Sequence, residues 1–203
     1  SGTGATPGGN FPFLQRLNLK TLEIQPLFRS ATGTYEEVLD VIDDPRGTQF
    51  VTLRETPAVS PNYFLHALAS PGASGTQITR FPDPAPELTQ IRKELVLYKR
   101  ADGIPLSATL YYPTGYVPGT RVPVIIWAYP REYVTPDMAG QVRAAPNRFP
   151  RLEGSSILFL TLSGYAVLYN AELPIVGKPL EANNTFVEQL TSGAKAAVDK
   201  VVA

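Results

Sequence analysis

The stretch VPVIIWAYPREY, Val122 to Tyr133, decides the fold. Val124, Ile125, Ile126 and Trp127 form an apolar run of the kind carried by a strand buried on both faces. The run stops at Tyr129-Pro130-Arg131-Glu132, which delivers a phenol, an arginine and a carboxylate together. Open α/β sheets bind ligands outside the carboxyl ends of their strands, and residues just past Trp127 belong at such an edge. A long loop follows, then a short apolar helix near Gly154–Ser163 that Gly164 ends, then a second buried strand, YAVLYN. Thr185 and Glu188 have the spacing of a capping box. Beyond them Val187, Leu190, Ala194, Ala197 and Val201 recur every three or four residues, the pattern of an amphipathic helix. Strand, helix, strand, helix in this order predicts a parallel, right-handed α/β sheet.

Upstream, ELVLYKRADGIPLSATLYYP predicts a hairpin of Glu94–Lys99 and Leu106–Tyr112 turning at Asp102-Gly103. The proline-rich FPDPAPEL, Phe81 to Leu88, is the best boundary, so residues 1–88 and 89–203 are expected to be separate parts. In the first part FPFLQRLNL, YEEVLDVI, QFVTLRE and NYFLHAL are strand candidates. Asp43-Asp44-Pro45-Arg46-Gly47 and SPGASG are turn signals. Phe13, Leu14 and Leu17 recur as Phe64, Leu65 and Leu68 at one offset of 51, with Gln25 and Gln77 one residue out of step. A period near ~50 residues holding four strands suits β-propeller blades; chance similarity of two strands is the alternative.

Composition narrows the classes. With 203 residues, 43% hydrophobic and 18% charged, the chain can build a real core. Eighteen basic residues balance eighteen acidic ones without a basic stripe, which argues against a nucleic-acid partner. No apolar run is long enough to span a membrane, and the N-terminus has no charged-then-apolar leader pattern. Cysteine is absent, which removes disulfides, thiolate metal sites and a cysteine nucleophile. That absence fits an exported or periplasmic protein, or a plastid one, without selecting a compartment. The glycines of SGTGATPGGNF have the wrong spacing for a dinucleotide loop, so no cofactor is expected. His66 lies on a strand candidate and reads as structural, and Asp43-Asp44 reads as a solvated turn, so no metal is expected either. Asn183-Asn184-Thr185 matches a glycosylation sequon, but the capping box already accounts for it.

Tyr129 is the residue with chemistry to offer. A tyrosine stays protonated at neutral pH and can donate a hydrogen bond, so one held at a sheet edge could stabilise an oxyanion. On position alone the plainer reading is favoured: a ring packed under the following loop with its hydroxyl in water.

YKRADGIPLSATLYYPTGY, VPVIIWAYPREY, AGQVRAAPNRF, LSGYAVLYNAELPIVG and NNTFVEQLTSGAKAAVDKVV, spread in order from Glu94 to Ala203, resemble the start of the catalytic domain of the prolyl oligopeptidase family of serine peptidases. The closest branch holds glutamyl endopeptidase-like and acylaminoacyl-peptidase-like enzymes. The resemblance implies the N-terminal part of an α/β-hydrolase, a parallel sheet with flanking helices, preceded by the C-terminal blades of a β-propeller. It implies hydrolysis of a peptide substrate through an acyl-enzyme, with Tyr129 as oxyanion donor. Many relatives carry two small residues after that tyrosine, where this chain has Pro130-Arg131.

The family's G-x-S-x-G-like serine turn is not found: Gly72-Ala73-Ser74-Gly75 and Gly154-Ser155-Ser156 do not fit its spacing. The chain therefore reads as a fragment that ends before its nucleophile and needs the remainder of its parent to turn over. Arg131, Arg143 and Arg148 lie on or near the long loop. The resemblance to the glutamyl-type branch implies an acidic substrate side chain, and Arg131 or Arg143 is its candidate partner, because arginine offers a bidentate fork; a solvated or structurally paired arginine is the plainer reading. Glu132 either pairs with a neighbouring arginine or meets a substrate amine. Two other readings stay open: a non-catalytic binding module, and an esterase-type α/β-hydrolase with an unrelated β-rich extension.

Overall fold

The computed structural model describes residues 1–44, 47–70, 74–86 and 91–202. The chain divides into two compact units. The first comprises residues 1–6, 10–90 and 147–150, and the second residues 7–9, 91–146 and 151–203. Two short strands, β1 (Ala5–Thr6) and β2 (Gly9–Asn10), open the chain.

The first unit continues with β3 (Phe13–Leu17), β4 (Ile24–Arg29), β5 (Tyr35–Asp44), β6 (Gly47–Thr56), β7 (Val59–Ala67) and β8 (Thr76–Gln77). β3 and β4 form one antiparallel pair, and β5-β6-β7-β8 form a four-stranded antiparallel meander. All four strand candidates of this half are strands. Asp44 pairs with Gly47 as a tight connection requires, and Pro45 and Arg46 between them lie outside the described residues. Residues 71–73 of SPGASG and the end of the proline-rich break, Glu87 and Leu88, lie outside them too. The offset of 51 lands on matching places. Phe13-Leu14 is in β3 and Phe64-Leu65 in β7, while Gln25 is in β4 and Gln77 in β8, each the antiparallel partner of the strand before it.

In the second unit β9 (Lys93–Lys99), β10 (Pro105–Tyr111), β11 (Val124–Tyr133) and β12 (Ala166–Val176) build one sheet in the order β11-β12-β10-β9. β9 and β10 are the expected hairpin. Gly103 takes φ +89° at its turn, a conformation open to glycine without steric cost. β10 pairs antiparallel with β12, and β11 pairs parallel with β12. The sheet is therefore mixed and not parallel throughout, because the hairpin joins it. The crossover between the parallel strands holds one short helix, α1 (Pro136–Ala139), capped by Thr135, and a 3₁₀ helix at Ile157–Ser163. Gly164 ends the latter at φ +85°, the left-handed cap its sequence called for. A second 3₁₀ turn, Ala182–Thr185, leads directly into α2 (Phe186–Val202). This continuity displaces the predicted capping box: the Thr185 hydroxyl accepts from Gln189 Nε2. Ala197 and Val201 of α2 pack with Ala108, Leu168, Ala171, Ile126 and Ala128, the main apolar cluster of this sheet.

β11 departs from expectation in two ways. It is an end strand of the sheet, so Val124 and Trp127 stay 36% and 52% exposed and the run is not buried on both faces. It also runs on through Tyr133, which places Tyr129 within the strand and not past its end. Between Trp127 and Ala128 the register with β12 slips by one residue. The extra residue on β12 is Asn170 at φ +53°, a left-handed conformation that asparagine tolerates better than most side chains. Among the described residues no helix is long and apolar enough to cross a membrane.

Candidate active site

After the bulge, Tyr129, Arg131 and Tyr133 alternate onto one side of β11, while Ile126 and Ala128 meet the cluster beneath α2. Tyr129 is 78% exposed, and its hydroxyl makes no hydrogen bond with a described residue. The ring is not packed under the loop, and the donor is unengaged. Its register partner on β12 is Glu172. Without the bulge Ala171 would stand there; the extra residue re-aims a carboxylate to the place opposite the phenol.

Glu172 is only 16% exposed in its side chain. Its Oε2 accepts from the Ser107 backbone N–H at 2.9 Å, and its Oε1 lies 4.0 Å from Arg143 Nη1. Burial pushes its carboxyl above the ordinary glutamate range; the Ser107 N–H, Arg143 and Arg131 oppose that rise by favouring the charged form. Beside it the buried hydroxyl of Tyr98 lacks a well-formed hydrogen bond. Burial first, and then the charge of Glu172, holds that phenol above its usual pKa. A phenol so raised stays protonated at any physiological pH.

The arginines sort clearly. Arg143 is committed to the sheet. It donates from Nη1 to the Tyr133 hydroxyl at 2.9 Å and from Nη2 to the Met138 carbonyl at 2.9 Å, and its guanidinium lies 4.7 Å from the Tyr133 ring centroid. Arg148 is committed within the first unit. Its Nε donates to Glu55 at 3.1 Å, the neighbouring Phe149 N–H donates to the other Glu55 oxygen at 2.9 Å, and its guanidinium covers the Tyr35 ring at 4.5 Å. Arg131 is exposed, two residues from Tyr129 on the same side of the strand, and forms no hydrogen bond or ion pair with a described residue. Glu132 is exposed and forms no hydrogen bond or ion pair with a described residue, so of its two sequence readings the arginine pairing is not seen.

His66 sits in the first unit, 3% exposed and stacked on Phe50 at 4.6 Å. Glu36 Oε1 at 2.9 Å and Thr52 Oγ1 at 3.1 Å both meet its Nε2. A hydroxyl–histidine–acid relay needs its two partners on opposite ring nitrogens, so this trio cannot work as one. Arg54 completes the network with a two-nitrogen grip on Glu36. Among the described residues no three histidine, aspartate or glutamate side chains gather into a metal set.

Sequence reasoning passed over Glu172. Its signal was a single carboxylate within the apolar run AVLYNAELPIV, where an acid is rare unless paired.

No protein-family model matches the chain. Two curated relatives, each named a probable chloroplastic glutamyl endopeptidase, from Oryza sativa subsp. japonica and Arabidopsis thaliana, are 37% identical over an alignment of 213 residues that takes in the whole chain. The chain spans 22% of the length of each. Among solved structures it is similar to Porphyromonas gingivalis dipeptidyl peptidase 4, at a TM-score of 0.57 and 15% identity over 98% of this chain and 29% of that one. It is also similar to the AtxE2 isopeptidase S527A variant with Astexin3-dC4 bound, at 0.56 and 15% over 92% and 28%. The Pyrococcus horikoshii acylaminoacyl peptidase matches at 0.51 and 13% over 96% and 28%. At such identities the structures speak to fold alone.

Proposed function

We propose that this chain, a segment of a prolyl oligopeptidase-family peptidase, supplies the oxyanion donor of a serine peptidase whose nucleophile, acid and histidine come from the rest of a longer protein. The first unit is the end of a β-propeller: the β5–β8 meander is one complete four-stranded blade, and β3–β4 are the last two strands of the blade before it. The second unit is the first part of an α/β-hydrolase sheet.

One observation carries the reading. Tyr129 stands on a strand parallel to its neighbour, largely exposed, with a hydroxyl that nothing described engages. When a serine attacks a peptide carbonyl, negative charge grows on the carbonyl oxygen, and a fixed neutral donor stabilises that charge at no cost of reorganisation. Arg131, next along the same side, is the cation for an acidic side chain of the substrate. Arg143 is the weaker candidate, because its donors already hold Tyr133 and Met138.

The test is Tyr129→Phe in the full-length protein. Loss of one oxyanion donor typically costs ~3 kcal/mol, which is a fall in kcat of about 10²–10³. KM should change little, and labelling of the serine by a fluorophosphonate should persist. Full activity of the phenylalanine variant would remove Tyr129 from the reaction. Cleavage of esters but not of peptides would favour the esterase reading.

A further inference from the structure

We propose that Glu172 and Arg143 are a positioning pair: Glu172 captures Arg143, and the captured arginine fixes the arm from Tyr133 to Gly140 that continues the Tyr129 strand. The part of this inference that concerns catalysis rests on the peptidase reading above.

The arm leaves β11 at Tyr133 and returns through α1, a helix of four residues that is too short to hold itself in place. Among the contacts that hold it, three stand out. Ala139 is 1% exposed and packs with Ile104 and Leu106. Gly140 lies so close to Pro105 that an added Cβ would come within 2.5 Å of the ring. Arg143 bonds the start of the arm at the Tyr133 hydroxyl and its helix at the Met138 carbonyl. The carboxylate that faces this arginine, 4.0 Å from its Nη1, is the largely buried Glu172. Glu172 is fixed in turn from β10 by the Ser107 N–H. The β12 bulge at Asn170 is what places this acid, and not Ala171, opposite Tyr129. The chain of support therefore runs from Ser107 through Glu172 and Arg143 to Tyr133, four residues beyond Tyr129 on the same strand. With Arg143 neutralised in this way, Arg131 remains the cation that an acidic substrate meets.

The experiment uses the full-length protein with matched peptides bearing glutamate or alanine at the cleavage site. E172Q, R143M and their double variant should each lower kcat about tenfold on both peptides, since a misplaced group commonly costs one to two powers of ten. KM should stay within twofold, and the double should be no worse than the worse single. Hydrogen exchange over residues 134–142 should quicken in all three variants and stay unchanged in R131M. A rise in KM for the glutamate peptide alone in R143M would make Arg143 a substrate cation and overturn the pair. Unchanged exchange over 134–142 in R143M and E172Q would overturn it as well. If the wild-type protein cleaves neither peptide, the peptidase reading fails, and the exchange result still decides the pair by itself.

Discussion

Tyr129 and Arg131 are two residues apart on one strand, yet they do different chemistry under the proposed mechanism. The phenol answers a charge that exists only as the reaction proceeds, whereas the guanidinium answers a charge the substrate brings with it. Arg131→Met should therefore reduce kcat/KM for a glutamate peptide about 10–100-fold more than for its alanine counterpart, the worth of one charged hydrogen bond. Equal losses on both peptides would show that Arg131 does not read the side chain. That Tyr129 and Arg131 share one side of a strand follows from the strand period within a dozen residues, although the sequence placed Tyr129 past the strand's end and the structure places it inside. The commitment of Arg143 and Arg148 was not legible. It depends on Tyr133 and Met138 in one case, and in the other on Glu55, almost a hundred residues away in sequence. Local patterns carry no record of such partners.

The β9–β10 hairpin shows how one element can be held by two unequal charges. The Arg100 side chain is 2% exposed and donates to the Pro174 carbonyl at 2.6 Å, to Gln189 Oε1 at 3.2 Å and to both oxygens of Asp102. It ties the hairpin to the end of β12 and to α2. Asp102 is half exposed, and its hydrogen bond from Arg100 draws its pKa down. A carboxylate whose folded pKa is lowered stabilises above the unfolded value, near ~4, and that contribution is lost as pH falls through the folded value. Asp102→Asn should then cost less than about 1 kcal/mol at neutral pH, given solvent screening, and progressively less in acid as pH falls below ~4. Arg100→Met should cost about 3 kcal/mol, because it strands buried partners, and most of that loss should persist in acid. Hydrogen exchange of the hairpin amides at neutral and at acid pH separates them; a D102N deficit that stays constant with pH would refute the assignment. The hairpin itself was legible from Asp102-Gly103 between two alternating runs. The bulge at Asn170 was not, since a register slip exists only relative to another strand. That slip is what hid Glu172.

For the whole molecule, the question is what covers the outer edge of β11. Among the described residues β11 pairs with β12 alone, and its first half, Val124 to Ala128, carries no charge. In the first unit β5, an end strand of the β5–β8 sheet, also exposes apolar side chains at Leu39, Val41 and Ile42. It intersperses them with Glu37, Asp40 and Asp43, the kind of charge that deters edge pairing. β11 has no such protection until Arg131 and Glu132. A ten-residue uncovered edge is a template for another strand, and under the function proposed above that strand would come from the rest of a longer protein. Expressed as 203 residues, the chain should therefore self-associate through residues 124–128. Sedimentation velocity across a hundredfold range of concentration should show species heavier than 22.1 kDa. Trp127→Lys puts a charge on that half-exposed edge and should shift the distribution toward monomer, whereas a lysine at the similarly exposed Leu39 should not. In the full-length protein the β11 amides should exchange slowly along the whole strand. A monodisperse 203-residue monomer at every concentration would mean that this edge needs no partner, and with it would go the argument that the strand awaits the rest of a larger sheet.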